Sequence, residues 1–310
     1  MQAPLGIAWL EVRTSKMPIS RKIMGVSKGG VSKKAIFGYG YSGGVLSMTN
    51  LVSNAGVVSG DTTGVGTARY GLAAAGYGTD KAIFGYGNGP VSITNLASNI
   101  GAVSSDTTGV GTARYDLVAA GYGTDKAIFG YGNGPVSMTN LVSNIGVVSG
   151  DTTGVGTARQ SLAAAGYGTD KAIFGYGTTT VNVSVTNKIS NTGVSSSDTT
   201  GVGTARLQLA AAGYGTDKAI FGYGLDAGVV SMTNLVSNIG VVSGDTTGVG
   251  TARRFLAAAG YGTDKAIFGY GTTGTNQSVT NLVSSTGVVS GDTTGVGTAR
   301  YFLAASSYGS

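Results

Sequence analysis

Two charged motifs recur along this chain where side-chain chemistry is sought first. DTTGVGTAR begins at Asp61, Asp106, Asp151, Asp198, Asp245 and Asp292, and ends each time on an arginine: Arg69, Arg114, Arg159, Arg206, Arg253 and Arg300. GTDK sets an acid beside a lysine, as at Asp80 and Lys81. One carboxylate and one guanidinium per repeat, in equal number, predict structural ion pairs that satisfy each other's hydrogen bonds. The functional alternative is a ring of arginines that binds an anion. The GTDK pair reads as turn chemistry. Nucleophilic and metal chemistry have little material: the 310 residues include no His and no Cys, and Glu11 is the lone glutamate. Ser-His and Cys-His nucleophiles, imidazole or thiolate metal sites and disulfides are thereby excluded. Calcium takes about six to eight oxygens, and one carboxylate per repeat without Asp-x-Asp spacing is thin for it. Strings such as residues 108–112 imitate a phosphate loop, but no helix follows to supply a dipole. Within the repeats only Asp116 and Asp226 break the acid pattern, and they fall in different copies. No catalytic residue, cofactor or metal is expected.

The elements that position these motifs follow from the repeat itself. KAIFGYG begins at Lys34, Lys81, Lys126, Lys171, Lys218 and Lys265, and both markers recur at spacings of 45 or 47 residues, which makes six copies. Insertions of two residues keep strand parity. Each copy holds four short strand candidates bounded by Gly, Asn and Asp turn signals. In the second copy these are a (72–77), b (81–86), c (91–98) and d (around 102–104). Strand a is almost all Ala and Gly and suits the crowded axis of a radial assembly. Strand b sets Ala82, Phe84 and Tyr86 on one face against Ile83, Gly85 and Gly87 on the other, so that bulky groups fill a gap that glycines keep narrow. The fold expected is all-β: a six-bladed β-propeller of four-stranded blades. The repeats begin on strand b and finish on strand a, so the last strand must pair in the first blade; that pairing hides a sheet edge. The domains expected are an N-terminal extension, 1–33, and the propeller, 34–310.

The segment ARYGLAAAGYGTDKAIFGYG, from Ala68 to Gly87, resembles the first half of a kelch-type repeat, and TNLASN resembles its strand c. The resemblance spans residues 34–310; strand b ends Gly-Tyr-Gly instead of a glycine pair, and no copy has the Trp of strand d. Near-identical glycine-rich copies of this kind also resemble repeats in virion and tail-associated proteins of bacteriophages and other viruses. That resemblance implies a non-enzymatic virion component, in the tail, baseplate or capsid surface. The SSDTTGVGT string is similar to the Asp-box turn of sialidase-like propellers, but the clustered arginines and the Glu-supported Tyr of that chemistry are missing.

Where the copies differ is informative. Variation concentrates in the b–c stretch and in the dipeptide after TAR, which reads Tyr70-Gly71, Tyr115-Asp116, Gln160-Ser161, Leu207-Gln208, Arg254-Phe255 and Tyr301-Phe302. Both connections emerge on one side of an up-and-down blade, so one face is diversified. Tyr70, Tyr115, Arg254, Phe255, Tyr301 and Phe302 form the candidate ligand face. The first 33 residues hold six bases and one acid, whereas residues 34–310 hold 14 bases and 13 acids. The basic arm is expected to dock on other subunits of an assembly through Trp9, Leu10, Arg13, Lys16, Arg21 and Lys22. Nucleic acid is the weaker partner, given a nearly neutral propeller. The variable face is assigned a host-surface glycan or protein. The alternatives to a virion component are a carbohydrate-binding receptor module and, behind it, a hydrolase. No apolar run is long enough to span a bilayer and no secretory signal opens the chain, so the expected location is a virion or, outside a viral context, the cytoplasm.

Overall fold

A computed structural model describes residues 32–309, and every regular element among them is a strand. In chain order these are β1 (Lys34–Tyr41), β2 (Val45–Val52), β3 (Ala73–Tyr77), β4 (Lys81–Gly87), β5 (Val91–Ala97) and β6 (Val118–Tyr122). There follow β7 (Lys126–Gly132), β8 (Val136–Val142), β9 (Ala163–Tyr167), β10 (Lys171–Gly175), β11 (Thr186–Ile189) and β12 (Ala210–Tyr214). The last six are β13 (Lys218–Gly222), β14 (Thr233–Val236), β15 (Ala257–Tyr261), β16 (Lys265–Gly269), β17 (Thr280–Val283) and β18 (Ala304–Tyr308). They form six antiparallel sheets of three strands each. The first sheet has the order β18-β1-β2, with Phe37 opposite Ala305, so the end of the chain pairs where the spacing of the motifs requires.

Each sheet has three strands where four were expected. The fourth segment touches its neighbour at two single bridges, Thr94 to Thr107 and Ala97 to Val103 in the second copy. Side chains replace the missing ladder. The Ser104 hydroxyl accepts from the Leu96 amide at 3.0 Å, and the Asn95 side-chain amide donates to the Ser104 carbonyl at 3.0 Å. The Thr94 and Thr107 hydroxyls also bond each other. Small, hydroxyl-rich residues thus satisfy the outer edge without regular strand geometry.

The DTTGVGTAR motif forms a buried clamp around its arginine. Arg69 donates from Nε to the Tyr86 carbonyl at 2.7 Å, from Nη1 to the Thr67 carbonyl at 2.9 Å and from Nη2 to Asn95 Oδ1 at 2.6 Å. Asp106 lies 3.8 Å from Nη1 and accepts from the Thr67 amide at 3.0 Å, the Thr67 hydroxyl at 2.6 Å and the Asn95 amide at 2.8 Å. The guanidinium also lies over the ring of Tyr39 from the preceding sheet, 4.5 Å from its centroid. The same set recurs around Arg114, Arg159, Arg206, Arg253 and Arg300. The expected structural ion pairs are therefore present. The arginines are buried within their sheets, so they do not form an anion-binding mouth. Partial burial alone would raise Asp106, but the bonds from Thr67 and Asn95 and the charge of Arg69 hold it below the usual carboxylate range. Its contribution to stability is present above that range and fades as the pH falls through it.

Sheets meet one another through strand b, as its alternation predicts. The Phe129 ring of one sheet covers Gly85 of the sheet before it, and Phe174 covers Gly130 in the same way. The series continues to Phe37 on Gly269 and Phe84 on Gly38, returning to its start. Strict alternation fails at one position. Tyr86 has φ of 63° and marks a register shift between Gly85 and Gly87, so it joins Ile83 against Phe129 and leaves the face of Phe84. The bulge lets two large groups serve the same gap. A Cβ added at Gly85 would stand 2.7 Å from Phe129 Cζ, whereas one at Gly150 would meet nothing within 4 Å. Gly85→Ala is expected to cost about 1–3 kcal/mol in urea or thermal denaturation, with Gly150→Ala near neutral. Equal stability of the two variants would contradict this packing.

Candidate functional site

The dipeptide after each clamp arginine carries the sequence from the clamp to the inner strand, and its two residues do different work. The first bonds outward to the b–c stretch. The Tyr41 amide donates to the Tyr301 carbonyl at 2.9 Å, the Asn88 amide to Tyr70 at 2.8 Å and the Asn133 amide to Tyr115 at 2.8 Å. The two variable regions are thus neighbours, as the connectivity of the strands predicts.

The second residues form a closed hydrogen-bonded cycle. Asp116 donates its amide to the Gly71 carbonyl at 2.8 Å, Ser161 to Asp116 at 3.0 Å and Gln208 to Ser161 at 2.8 Å. Phe255 donates to Gln208 at 2.9 Å, Phe302 to Phe255 at 3.0 Å and Gly71 to Phe302 at 3.0 Å. All six are left-handed, with φ from 53° at Asp116 to 61° at Gly71. Glycine adopts that conformation without penalty, but the other five pay roughly 1–2 kcal/mol each. A shared cycle of amides holds them there, and such strain marks positions that the surrounding structure over-determines.

The cycle surrounds a cavity of about 80 Å³. Six buried leucines line it, among them Leu72, Leu117 and Leu303, together with the six residues of the cycle. The side chains differ around the rim. Asp116, Ser161 and Gln208 are consecutive and polar, whereas Phe255 and Phe302 are aromatic. Burial pushes the Asp116 carboxyl up to about 6, opposed only by the Ser161 hydroxyl, which donates to Oδ2 at 3.3 Å. Gln208 Oε1 is buried and accepts no hydrogen bond, and neither does Gln160 Oε1.

The aromatic half continues outward. The rings of Phe255 and Phe302 have centroids 3.6 Å apart, and Phe302 meets Tyr301 at 5.2 Å and Tyr70 at 5.3 Å. Tyr41 bridges Tyr70 and Tyr301 at 5.6 and 5.7 Å, and Arg254 lies 5.4 Å from the Phe255 centroid. Five of the six expected face residues, Tyr70, Arg254, Phe255, Tyr301 and Phe302, are thus brought together and half-buried. Tyr115 sits at the same end, near Gly71, outside the aromatic cluster. Tyr41, Ser161 and Gln208 were missed; Tyr41 was legible as the first residue of a variable stretch, and the other two as members of the variable dipeptide. Trp9, Leu10, Arg13, Lys16, Arg21 and Lys22 lie outside the described residues.

At the opposite end the inner strands line a wider channel of about 300 Å³, rimmed by lysines such as Lys81 and Lys126. Lys81 and Lys171 pair with the adjacent Asp80 and Asp170 at 3.0 and 2.7 Å, so the GTDK charges neutralise one another at the turns. Among the described residues no group of three or more His, Cys, Asp or Glu could hold a metal ion, and no helix is long and apolar enough to cross a membrane.

No family model and no curated protein matches the chain. A fungal alcohol oxidase of the AA5 family, solved in complex with copper, is similar in structure: TM-score 0.54 at 13% identity, covering 87% of this chain and 66% of the oxidase. At that identity the likeness reaches the fold alone, and the repeated small antiparallel sheets fit a propeller-like all-β fold. It overturns the expectation of a virion component, because the structure that this chain resembles is an enzyme with an oxidase fold. Neither the kelch-type nor the phage resemblance finds a family match, and the virion location is left without support. The oxidase is also at variance with the expected lack of enzymatic activity, without extending its own activity to this chain. Copper(II) favours imidazole nitrogen together with oxygen donors, and a chain without His, which has no imidazole to offer, does not fit it.

Asp116 generates a stability prediction. Its folded value, about 6, stands above the ordinary 3.8, so the folded chain holds this proton more tightly than the unfolded one. The destabilisation is absent below the ordinary value and complete above the folded one. Asp116→Asn should therefore stabilise the chain at pH 7 by about 3 kcal/mol and leave it unchanged at pH 3.5. Paired thermal melts at the two pH values test this, and an Asn variant less stable than the parent at pH 7 would contradict it.

Proposed function

We propose that this chain is a six-bladed β-propeller, closed by β18 on β1, that acts as a ligand-binding protein through the mouth of its axial cavity. One observation carries the reading: the sequence diversifies at the positions that line this cavity, while the clamps around them stay constant. A rigid scaffold with variable loops is the usual construction of a recognition surface. The residues assigned to contact are Tyr41, Tyr70, Arg254, Phe255, Tyr301 and Phe302. Aromatic rings offer large contact area with little conformational entropy to lose, and Arg254 adds a directed cation. The closed cycle of amides keeps this mouth preorganised, which lowers the ordering cost of binding.

Bond-breaking chemistry finds weaker support. Among the described residues Asp116 is the only carboxylate lining the cavity, and no second acid or base lines it to divide proton donation from acceptance. The reading is tested by crystallographic soaking of the full chain with a library of small aromatic and polar fragments. Fragments are expected to gather at the Phe255–Phe302 mouth and to disappear from it in Phe302→Ala. Fragments gathering at the lysine-rimmed channel, or none at the aromatic mouth, would overturn it.

A further inference from the structure

The rim of the axial cavity is divided in a way that neither the fold nor the aromatic contacts explain. The structural role of the second dipeptide residue is met by its backbone, and Gly71 meets it with no side chain at all. Asp116, Ser161 and Gln208 nevertheless bring a carboxylate, a hydroxyl and an amide to a cavity otherwise lined by leucine, phenylalanine and Gly71. Their oxygens are poorly satisfied. Asp116 accepts one long bond, 3.3 Å, from Ser161, and Gln208 Oε1 is buried with no donor. Asp116 forms no ion pair among the described residues, although every clamp aspartate has an arginine within 3.8 Å. A buried acceptor without a donor is costly, and the Gln208 oxygen, in the same cavity as an unpaired carboxylate, calls for a donor from outside.

We propose that the axial cavity binds the cationic end of a primary alkylammonium group, with Asp116, Ser161 and Gln208 accepting its hydrogens and Phe255 and Phe302 flanking it. The proposal deepens the ligand-binding reading of this end of the molecule and rests on it. The chemistry matches on three counts. An ammonium carries three donors and no acceptor, which suits the unsatisfied Gln208 oxygen, the Asp116 carboxylate and the hydroxyl. A cation beside aromatic faces is attracted by the ring quadrupole. The leucine lining accommodates the methylene stem that such a group carries, as long cationic side chains do elsewhere. The cavity, about 80 Å³, admits an ammonium and a short stem and no larger head. A guanidinium is broader and planar, and a carboxylate would face Asp116 with like charge.

Among the described residues the other charged groups at this end are the clamp arginines, such as Arg114, whose donors are taken up within their clamps, Arg254, which packs over Phe255 and is not among the residues lining the cavity, and Asp226, which is exposed in a b–c loop. None supplies the missing donor. Since an ammonium needs the ionised carboxylate, and burial sets Asp116 at about 6, affinity is expected to rise through that pH and level off above it.

The test uses the full chain and n-butylammonium, with n-butanol as the neutral match of the same length, by calorimetry or by ligand-observed NMR at pH 7.5. Butylammonium is expected to bind at least tenfold more tightly than butanol, and Asp116→Asn to abolish that preference while the melting transition persists. Asp226→Asn should leave binding unchanged. Lowering the pH to 4.5 should weaken the parent by roughly thirtyfold. Equal binding of the two probes, or an Asp116→Asn variant that keeps the preference, would overturn the proposal. Fragments that gather at the aromatic mouth in such a case leave the broader reading standing, so the two failures are distinguishable.

Discussion

The structure depends on an arginine that is buried without being isolated. Taking a guanidinium out of water is expensive, and the expense is met only when each donor has a partner and a counter-charge is near. The clamp meets those conditions from four directions. Tyr86 offers a carbonyl from the second strand, Asn95 an amide oxygen from the third and Asp106 a carboxylate from the outer segment, while Tyr39 of the neighbouring sheet offers the face of its ring. One side chain thereby ties all parts of a sheet together and presses it against the next. The six arginines explain why so long a motif is repeated with so little change: most of its residues contribute an atom to the clamp or a turn that brings one to it. Val65, for instance, presents the carbonyl that accepts from the Tyr39 hydroxyl at 3.1 Å.

Rigidity at the clamp frees the residues that follow it. Two residues after the arginine the chain turns through a left-handed residue and enters the inner strand through a leucine. Because the backbone of that residue closes the cycle of amides, its side chain is released from structural duty and can differ in every copy. The same division runs through the molecule: uniform residues carry the architecture, and variable residues meet at one end of it. Function on such a scaffold is a property of the few places where the repeat is broken.

Much of this was legible in the sequence. The count of repeats gave six sheets, the equal numbers of Arg and Asp gave the clamp, and the Phe-Gly alternation of KAIFGYG gave the contact between sheets. Three features were not. The Tyr86 bulge depends on a positive φ that a Gly-Tyr-Gly string permits without requiring, and it moves the tyrosine to the opposite face. The fourth segment reads as a strand by spacing, yet side-chain bonds from serine, threonine and asparagine outcompete a ladder there. The cycle of amides joins residues about 45 positions apart and exists only once all six copies are assembled. The virion reading failed for another reason: it rested on a resemblance of repeated strings whose composition reports the clamp and the turns, which are architecture and carry no record of a partner.

The clamp account is tested most directly by Arg206→Lys, compared with the parent in denaturant-induced unfolding at neutral pH. Lysine keeps the charge but presents one compact ammonium where three directed donors and a planar stacking surface are needed. The account predicts a loss of about 3–5 kcal/mol, as for a buried pair whose partners are left unmet. A lysine variant as stable as the parent would contradict it, because charge alone would then suffice to hold the sheet together.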